Sequence, residues 1–215
     1  AFRFVAGAKV TFENLCFKIT GNYSSLLLWS GSEVTCKQVC FEISTQNNQN
    51  FFLYADTHSK LILTDIKIKV PEKHDASIGI VASELSISHS RVLSRIDLSD
   101  GARLTLETVD LEKYDINTIS ATNSEVTLKN STVKGGNLEM DYPPVWLDNV
   151  VWKSENCKIE LPGGTAVCLN NNVQFNSDSD CITSLNSYGS MLRAHQATFT
   201  EFLCIYDQSF AALTG

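Results

Sequence analysis

GAKVTFENLCFKI, residues 7–19, returns as GSEVTCKQVCFEI at residues 31–43, and that recurrence decides the fold. It continues as HSKLILTDIKIKV from His58, GARLTLETVDLEK from Gly101 and NSEVTLKNSTVKG from Asn123, then as PPVWLDNVVW from Pro143 and TAVCLNNNVQF from Thr165. Taking the first apolar residue of each unit as an anchor gives Val10, Val34, Leu61, Leu85, Leu104, Val126, Val145, Val167 and Met191. Their spacings are 24, 27, 24, 19, 22, 19, 22 and 24 residues, with a mean of about 22.6. A repeat of that length is one supersecondary unit stacked on copies of itself.

Within a unit the apolar residues alternate, as in Val10-Thr11-Phe12 and Leu15-Cys16-Phe17-Lys18-Ile19. A period of two is strand spacing, and it excludes the helical half-repeats of ankyrin and tetratricopeptide arrays. A further strand precedes each anchor: SLLLWS before Val34, FFLYAD before Leu61, IGIVAS before Leu85, RIDLSD before Leu104 and CKIELP before Val167. Three short strands and three corners account for the period. The reading is an all-β, right-handed, single-stranded parallel β-helix of about nine coils, a rod on the order of 43 Å long at roughly 4.8 Å per coil. Longer coils place their extra residues in corners, at Thr45 to Gln49, Pro71 to Asp75 and Asn176 to Asp180.

Four residues after each anchor stands a polar residue: Asn14, Gln38, Asp65, His89, Thr108, Asn130, Asn149, Asn171 and His195. Asn, Asp and His tolerate the left-handed backbone region that a tight corner demands, and stacking coils would set these residues one above another. Such a column, with Asn14, Asn130, Asn149 and Asn171 as its asparagines, resembles the asparagine ladder of the pectate-lyase-like right-handed β-helix superfamily. The resemblance spans essentially the whole chain and is one of fold, without a family-specific motif.

That resemblance directs the search for chemistry to the outward face of the strand before the ladder corner. Alternate residues there are Trp29, Tyr54, Asp97, Glu139 and Glu160. The two aromatics suit stacking on a sugar ring, and the carboxylates suit general acid and base roles. The plainer reading is a solvated β surface, which carries polar residues in any case. The Asn-Thr-Asp, Asp-Asp, Gly-His-Gly and Arg-Ile-Lys signatures of polygalacturonase-like enzymes are all missing, and Arg95-Ile96-Asp97 differs from the last at its third residue. Asn176-Ser177-Asp178-Ser179-Asp180 lacks the glycine and terminal Glu of an EF-hand, and Pro162-Gly163-Gly164-Thr165 lacks the lysine of a phosphate loop. No catalytic residue, metal site or cofactor is assigned.

Composition bounds the rest. The 215 residues, 43% hydrophobic and 19% charged, suffice for a single domain over 1–215, read as part of a longer protein because residue 1 is Ala. A net charge of -7 disfavours nucleic acid as a partner. No apolar run approaches the about 18 residues of a membrane span, so membrane insertion is not expected. Seven cysteines without a CxxC spacing predict neither a disulfide framework nor a zinc knuckle. Cys16 and Cys40 fall at equivalent positions of adjacent coils, as free thiols that favour a reducing compartment, whereas Asn22-Tyr23-Ser24 and Asn130-Ser131-Thr132 are sequons that a secretory route would read. The compartment stays open. The expected function is a non-catalytic module that recognises a protein or glycan, or a rigid scaffold, in a protein such as a pathogen effector or adhesin. A depolymerase or lyase acting through an acidic face is the alternative, and self-association through ends or flat sides is a third expectation.

Overall fold

A computed structural model describes residues 2–20, 26–43, 51–70, 77–113, 119–135, 145–148, 151–155, 158–160, 167–170, 174–177, 181–188, 191–195, 198–206 and 209–214, with side chains for 2–111, 119–133 and 209–214. Among these, every regular element is a strand and every strand pairing is parallel. The chain is a parallel β-helix of three sheets. A leading sheet starts with Phe2–Phe4, Leu26–Leu28, Phe51–Ala55 and Ser77–Val81. An anchor sheet starts with Lys9–Glu13, Glu33–Lys37 and Lys60–Thr64, and a trailing sheet with Cys16–Ile19, Cys40–Ile43 and Lys67–Lys69.

Inward residues stack in columns. In the anchor sheet Val10 pairs with Val34, Val34 with Leu61, Leu61 with Leu85, Leu85 with Leu104 and Leu104 with Val126. From Val34 onward each is at most 1% exposed. Leu26, Leu53, Ile78, Ile96 and Ile119 form the matching column of the leading sheet, and Phe17 stacks on Phe41 at 5.4 Å under the trailing sheet. Burying one such side chain contributes about 1.5–3 kcal/mol, and each coil supplies several, which is why a unit unable to fold alone is stable when stacked.

The corner after the anchor strand forms as its residue types require. Asn14, Gln38, Asp65, His89, Thr108 and Asn130 all adopt φ between 48 and 57°. In the two long strands Glu84–Val92 and Arg103–Lys113 the corner residue turns the chain from one sheet to the next without ending the strand. These six side chains are exposed, and the backbone ties the coils together: the N–H groups of Asn14, Gln38 and Asp65 donate to the carbonyls of Lys37, Thr64 and Ser88 on the next coil, at 3.0–3.1 Å. Among the described residues the buried polar side chains are serines. Ser90 Oγ accepts from Ile66 N–H at 3.0 Å, Ser131 Oγ from Val109 N–H at 3.1 Å, and Ser83 Oγ from Ser59 N–H at 3.0 Å.

From residue 145 onward the stacking departs from the anchor series. Val145 pairs with Ile119, and Val167 with Val145, so both belong to the leading sheet. The anchor column runs instead from Val126 to Trp152, Phe175, Leu192 and Ala211. Met191 is one residue out of frame, pairing with Gln174. The described anchor strands therefore stack ten deep, where about nine coils were expected. The reason is that Val-Trp-Leu-Asp and Val-Val-Trp-Lys alternate alike, and period two does not say which of three sheets a strand joins. Asn176 and Ser177 are strand residues paired with Arg193 and Ala194, not loop. Asn149 and Asn171 lie outside the described residues, as do the corners at 45–49 and 71–75.

Candidate functional site

The three outward surfaces differ in charge. On the anchor sheet the residue before each anchor is Lys9, Glu33, Lys60, Glu84, Arg103 and Glu125 in turn, aligned rung upon rung with alternating sign. Lys9 meets Glu33 at 3.4 Å, Lys60 meets Glu84 at 3.6 Å and Arg103 meets Glu84 at 3.5 Å. Exposed pairs of this kind contribute little energy, but opposite signs across strands fix register and leave a self-neutralised, hydrated face. That alternation is written in the sequence, one residue ahead of each anchor.

The leading sheet presents the opposite character. Its outward positions include Leu27, Trp29, Phe51, Tyr54 and Val81, all half-buried. Trp29 follows the strand Leu26–Leu28, fixed by its N–H donating to Phe4 O at 2.8 Å and its carbonyl accepting from Ser32 Oγ at 2.6 Å. The Arg3 guanidinium lies 5.6 Å from its ring centroid, within cation–π range. Tyr54 is in register with Leu27 on one side and Gly79 on the other. Burial, followed by the Asp56 and Asp100 carboxylates, holds its phenol above the ordinary value and keeps it protonated.

Phe51 completes the aromatic ground. Its ring lies 5.6 Å from that of Tyr54 at 32° and covers Gly79, where an added Cβ would meet three ring carbons at 2.8–2.9 Å. Beyond Gly79 the same column reaches Asp97 and then Ser120. Arg95 Nε donates to Asp97 Oδ1 at 2.6 Å. Burial pushes the Asp97 carboxyl up, and Arg95 pulls it down by less. The arrangement is an aromatic floor next to one half-buried Arg–Asp pair, with Arg3, Asp56 and Asp100 at its margins.

Of the residues expected to form one stripe, the structure brings Tyr54 and Asp97 onto a single column with Gly79 between them, and sets Trp29 on the same sheet just past its strand. Glu160 is elsewhere: its strand Lys158–Glu160 belongs to the trailing sheet, with Glu160 opposite Lys134. Glu139 lies outside the described residues. Asp97 and Glu160 are thus on different sheets, because Lys158–Glu160 is a trailing strand and not a leading one. Phe51 and Gly79 carry no site signal in the sequence reading, and Arg95 enters it only through the Arg95-Ile96-Asp97 fragment, where it is given no role. Among the described residues no helix is long and apolar enough to cross a membrane. No family model matches the chain, and neither a curated protein nor a solved structure is significantly similar to it.

Proposed function

We propose that the chain is a non-catalytic recognition module whose binding face is the outward surface of the leading sheet, centred on Phe51, Tyr54 and Asp97. The observation that carries this is the contrast between faces. The anchor sheet pairs its own charges rung by rung, whereas the leading sheet leaves Leu27, Trp29, Phe51, Tyr54 and Val81 half-exposed to solvent beside the charges of Arg3, Asp56, Arg95 and Asp97. Half-buried aromatics on a rigid sheet bind with little ordering cost, because the side chains are already held. A flat, mildly apolar strip suits the face of a glycan or an extended peptide. The likeness to the pectate-lyase-like superfamily belongs to this proposal and rests on the three-strand coil and on the left-handed corner residue in each of the first six coils.

Catalysis by depolymerisation is the weaker reading. A glycosidase needs two carboxyls flanking one bond at about 5–9.5 Å, and Asp97 is already engaged by Arg95.

A glycan array, a polysaccharide-degradation screen and crosslinking to proteins, each run on the wild type, Tyr54→Ala, Asp97→Asn and Glu33→Gln, test the proposal. Retention of a glycan or protein by wild type and Glu33→Gln, lost in Tyr54→Ala, supports it. Cleavage abolished in Asp97→Asn would make the face an active site. Binding unchanged by Tyr54→Ala, or no binding by wild type, refutes the assignment of this face.

A further inference from the structure

We infer that Cys16, Cys40 and Glu42 form a binding site for a thiophilic divalent cation of the zinc class, on the outward surface of the trailing sheet. This site is independent of the recognition face, which lies on the leading sheet.

Register creates the cluster. The strands Cys16–Ile19 and Cys40–Ile43 pair with Cys16 opposite Cys40, Phe17 opposite Phe41, Lys18 opposite Glu42 and Ile19 opposite Ile43. Alternation turns Phe17, Phe41, Ile19 and Ile43 toward the core, where the two rings stack 11° from parallel. The same alternation turns both thiols and the Glu42 carboxylate outward on one rigid platform. Their ligand atoms all lie within 4.8 Å of one another. Tetrahedral zinc, with bonds of about 2.0–2.3 Å, holds its ligand atoms roughly 3.4–3.8 Å apart, so a change of side-chain rotamer closes the set without moving the backbone.

The chemistry of the set selects the ion. Two sulfur ligands and one carboxylate match a borderline-soft cation and not calcium or magnesium, which take oxygen. Three protein ligands leave a fourth position for water or an incoming group. On the same face Lys69 Nζ sits 2.7 Å from Glu42 Oε1, and the pair Cys16–Cys40 is bordered by Lys18 opposite Glu42 and by Lys67 opposite Cys40. The thiols give up their protons on binding, and the cation balances the charge of the two thiolates and the carboxylate. Lys69, whose side chain is largely exposed, is free to swing away or to offset the net negative charge of a metal bound by two thiolates and a carboxylate.

The test uses the whole chain, reduced and metal-free, titrated with Co2+ and followed by its visible ligand-field bands and its sulfur-to-metal charge-transfer band, then back-titrated with Zn2+. Wild type is expected to give tetrahedral thiolate bands at one equivalent, displaced by Zn2+. Cys16→Ser and Cys40→Ser are each expected to abolish them, and Glu42→Gln to weaken cobalt binding by about tenfold or more. Circular dichroism melts establish that each variant is folded, which the exposure of Cys16 favours. Absence of the bands in wild type, or their persistence in folded Cys16→Ser or Cys40→Ser, overturns the site. So does a Glu42→Gln protein that binds as wild type does. Cysteines elsewhere in the chain would then be the ligands, or the pair would serve as an ordinary thiol contact.

Discussion

Replacing Gly79 with alanine probes the aromatic floor and the packing of successive coils in one step. Gly79 stands in the leading strand Ser77–Val81 between Tyr54 and Asp97, and the Phe51 ring lies across it. A methyl group there would be 2.8 Å from Phe51 Cγ and Cδ1 and 2.9 Å from Cε1. Carbon atoms settle at about 3.5–4.0 Å, so the ring must retreat by roughly 0.7 Å or more. Three ring carbons are met at almost one distance, so a small slide does not clear them and the ring has to rotate off the sheet. Overpacking of this kind costs about 1–3 kcal/mol, and removing a glycine from a strand interior returns about 0.5–1 kcal/mol. The net expectation is a loss of up to about 2.5 kcal/mol together with loss of binding at the floor. In a Phe51→Ala background the obstacle is gone, only the backbone gain remains, and the same substitution becomes neutral or stabilising. Urea denaturation of the wild type, both single variants and the double variant, followed by far-ultraviolet circular dichroism, closes the cycle, with a coupling of about 1 kcal/mol or more expected. An equal loss from Gly79→Ala with and without Phe51 would refute the contact and the floor built on it.

The other predictions concern the corners and the core. Ser90→Ala strands the buried Ile66 N–H and should lower stability by about 1–3 kcal/mol, whereas Ser94, whose buried hydroxyl has no hydrogen-bond partner, should be replaced by alanine without loss or with a gain; urea midpoints separate the two. Thr108 holds φ 57° at an exposed corner, a conformation that costs an ordinary L-residue about 1–2 kcal/mol, so Thr108→Gly or Thr108→Asn should raise the urea midpoint, and a lowered midpoint in both would contradict the corner. Burial pushes the Cys36 thiol from 9.0 up to about 12. The unfolded chain releases that proton near 9 and the folded chain only near 12, so Cys36 contributes stability in full below pH 9 that is lost as pH rises toward 12. Denaturation across that range should show a steeper alkaline decline in wild type than in Cys36→Ala, and equal slopes would refute the burial argument.

Much of the architecture was legible because each of its causes is local. The strand period, the anchor column from Val10 to Val126 and the six left-handed corners from Asn14 to Asn130 are set by residues a few positions apart, and the structure reproduces these. Reading failed where the discriminating signal is weak. In the first six coils a small residue two before the anchor, such as Ala8, Ser32, Ser59, Ser83, Ala102 and Ser124, marks the turn from leading to anchor strand; several of these serines hydrogen-bond the corner backbone. The stretch before Val151 reads Asp148-Asn149-Val150, without that mark, and the frame slipped from the anchor sheet to the leading sheet.

The site was less legible than the fold because it depends on an interruption of the very periodicity used to find it. Counting back by twos from outward Tyr54 makes Phe52 outward and Phe51 inward. In the structure Phe51 pairs with Ser77, but Leu53 pairs with Ile78, so the strand carries one extra residue between them. That bulge reverses both phenylalanines: Phe52 is buried and packs against Phe41 at 5.7 Å, while Phe51 is turned out onto Gly79. A bulge re-aims a side chain at the cost of regular pairing, and here it supplies the second ring beside Tyr54. The glycine opposite is the sequence trace of the event, since Gly79 alone in the column from Leu27 to Ser120 has no side chain to obstruct a ring laid across it. A lone glycine inside an otherwise apolar strand, one coil above a Phe-Phe pair, is therefore the signal from which the floor could have been inferred.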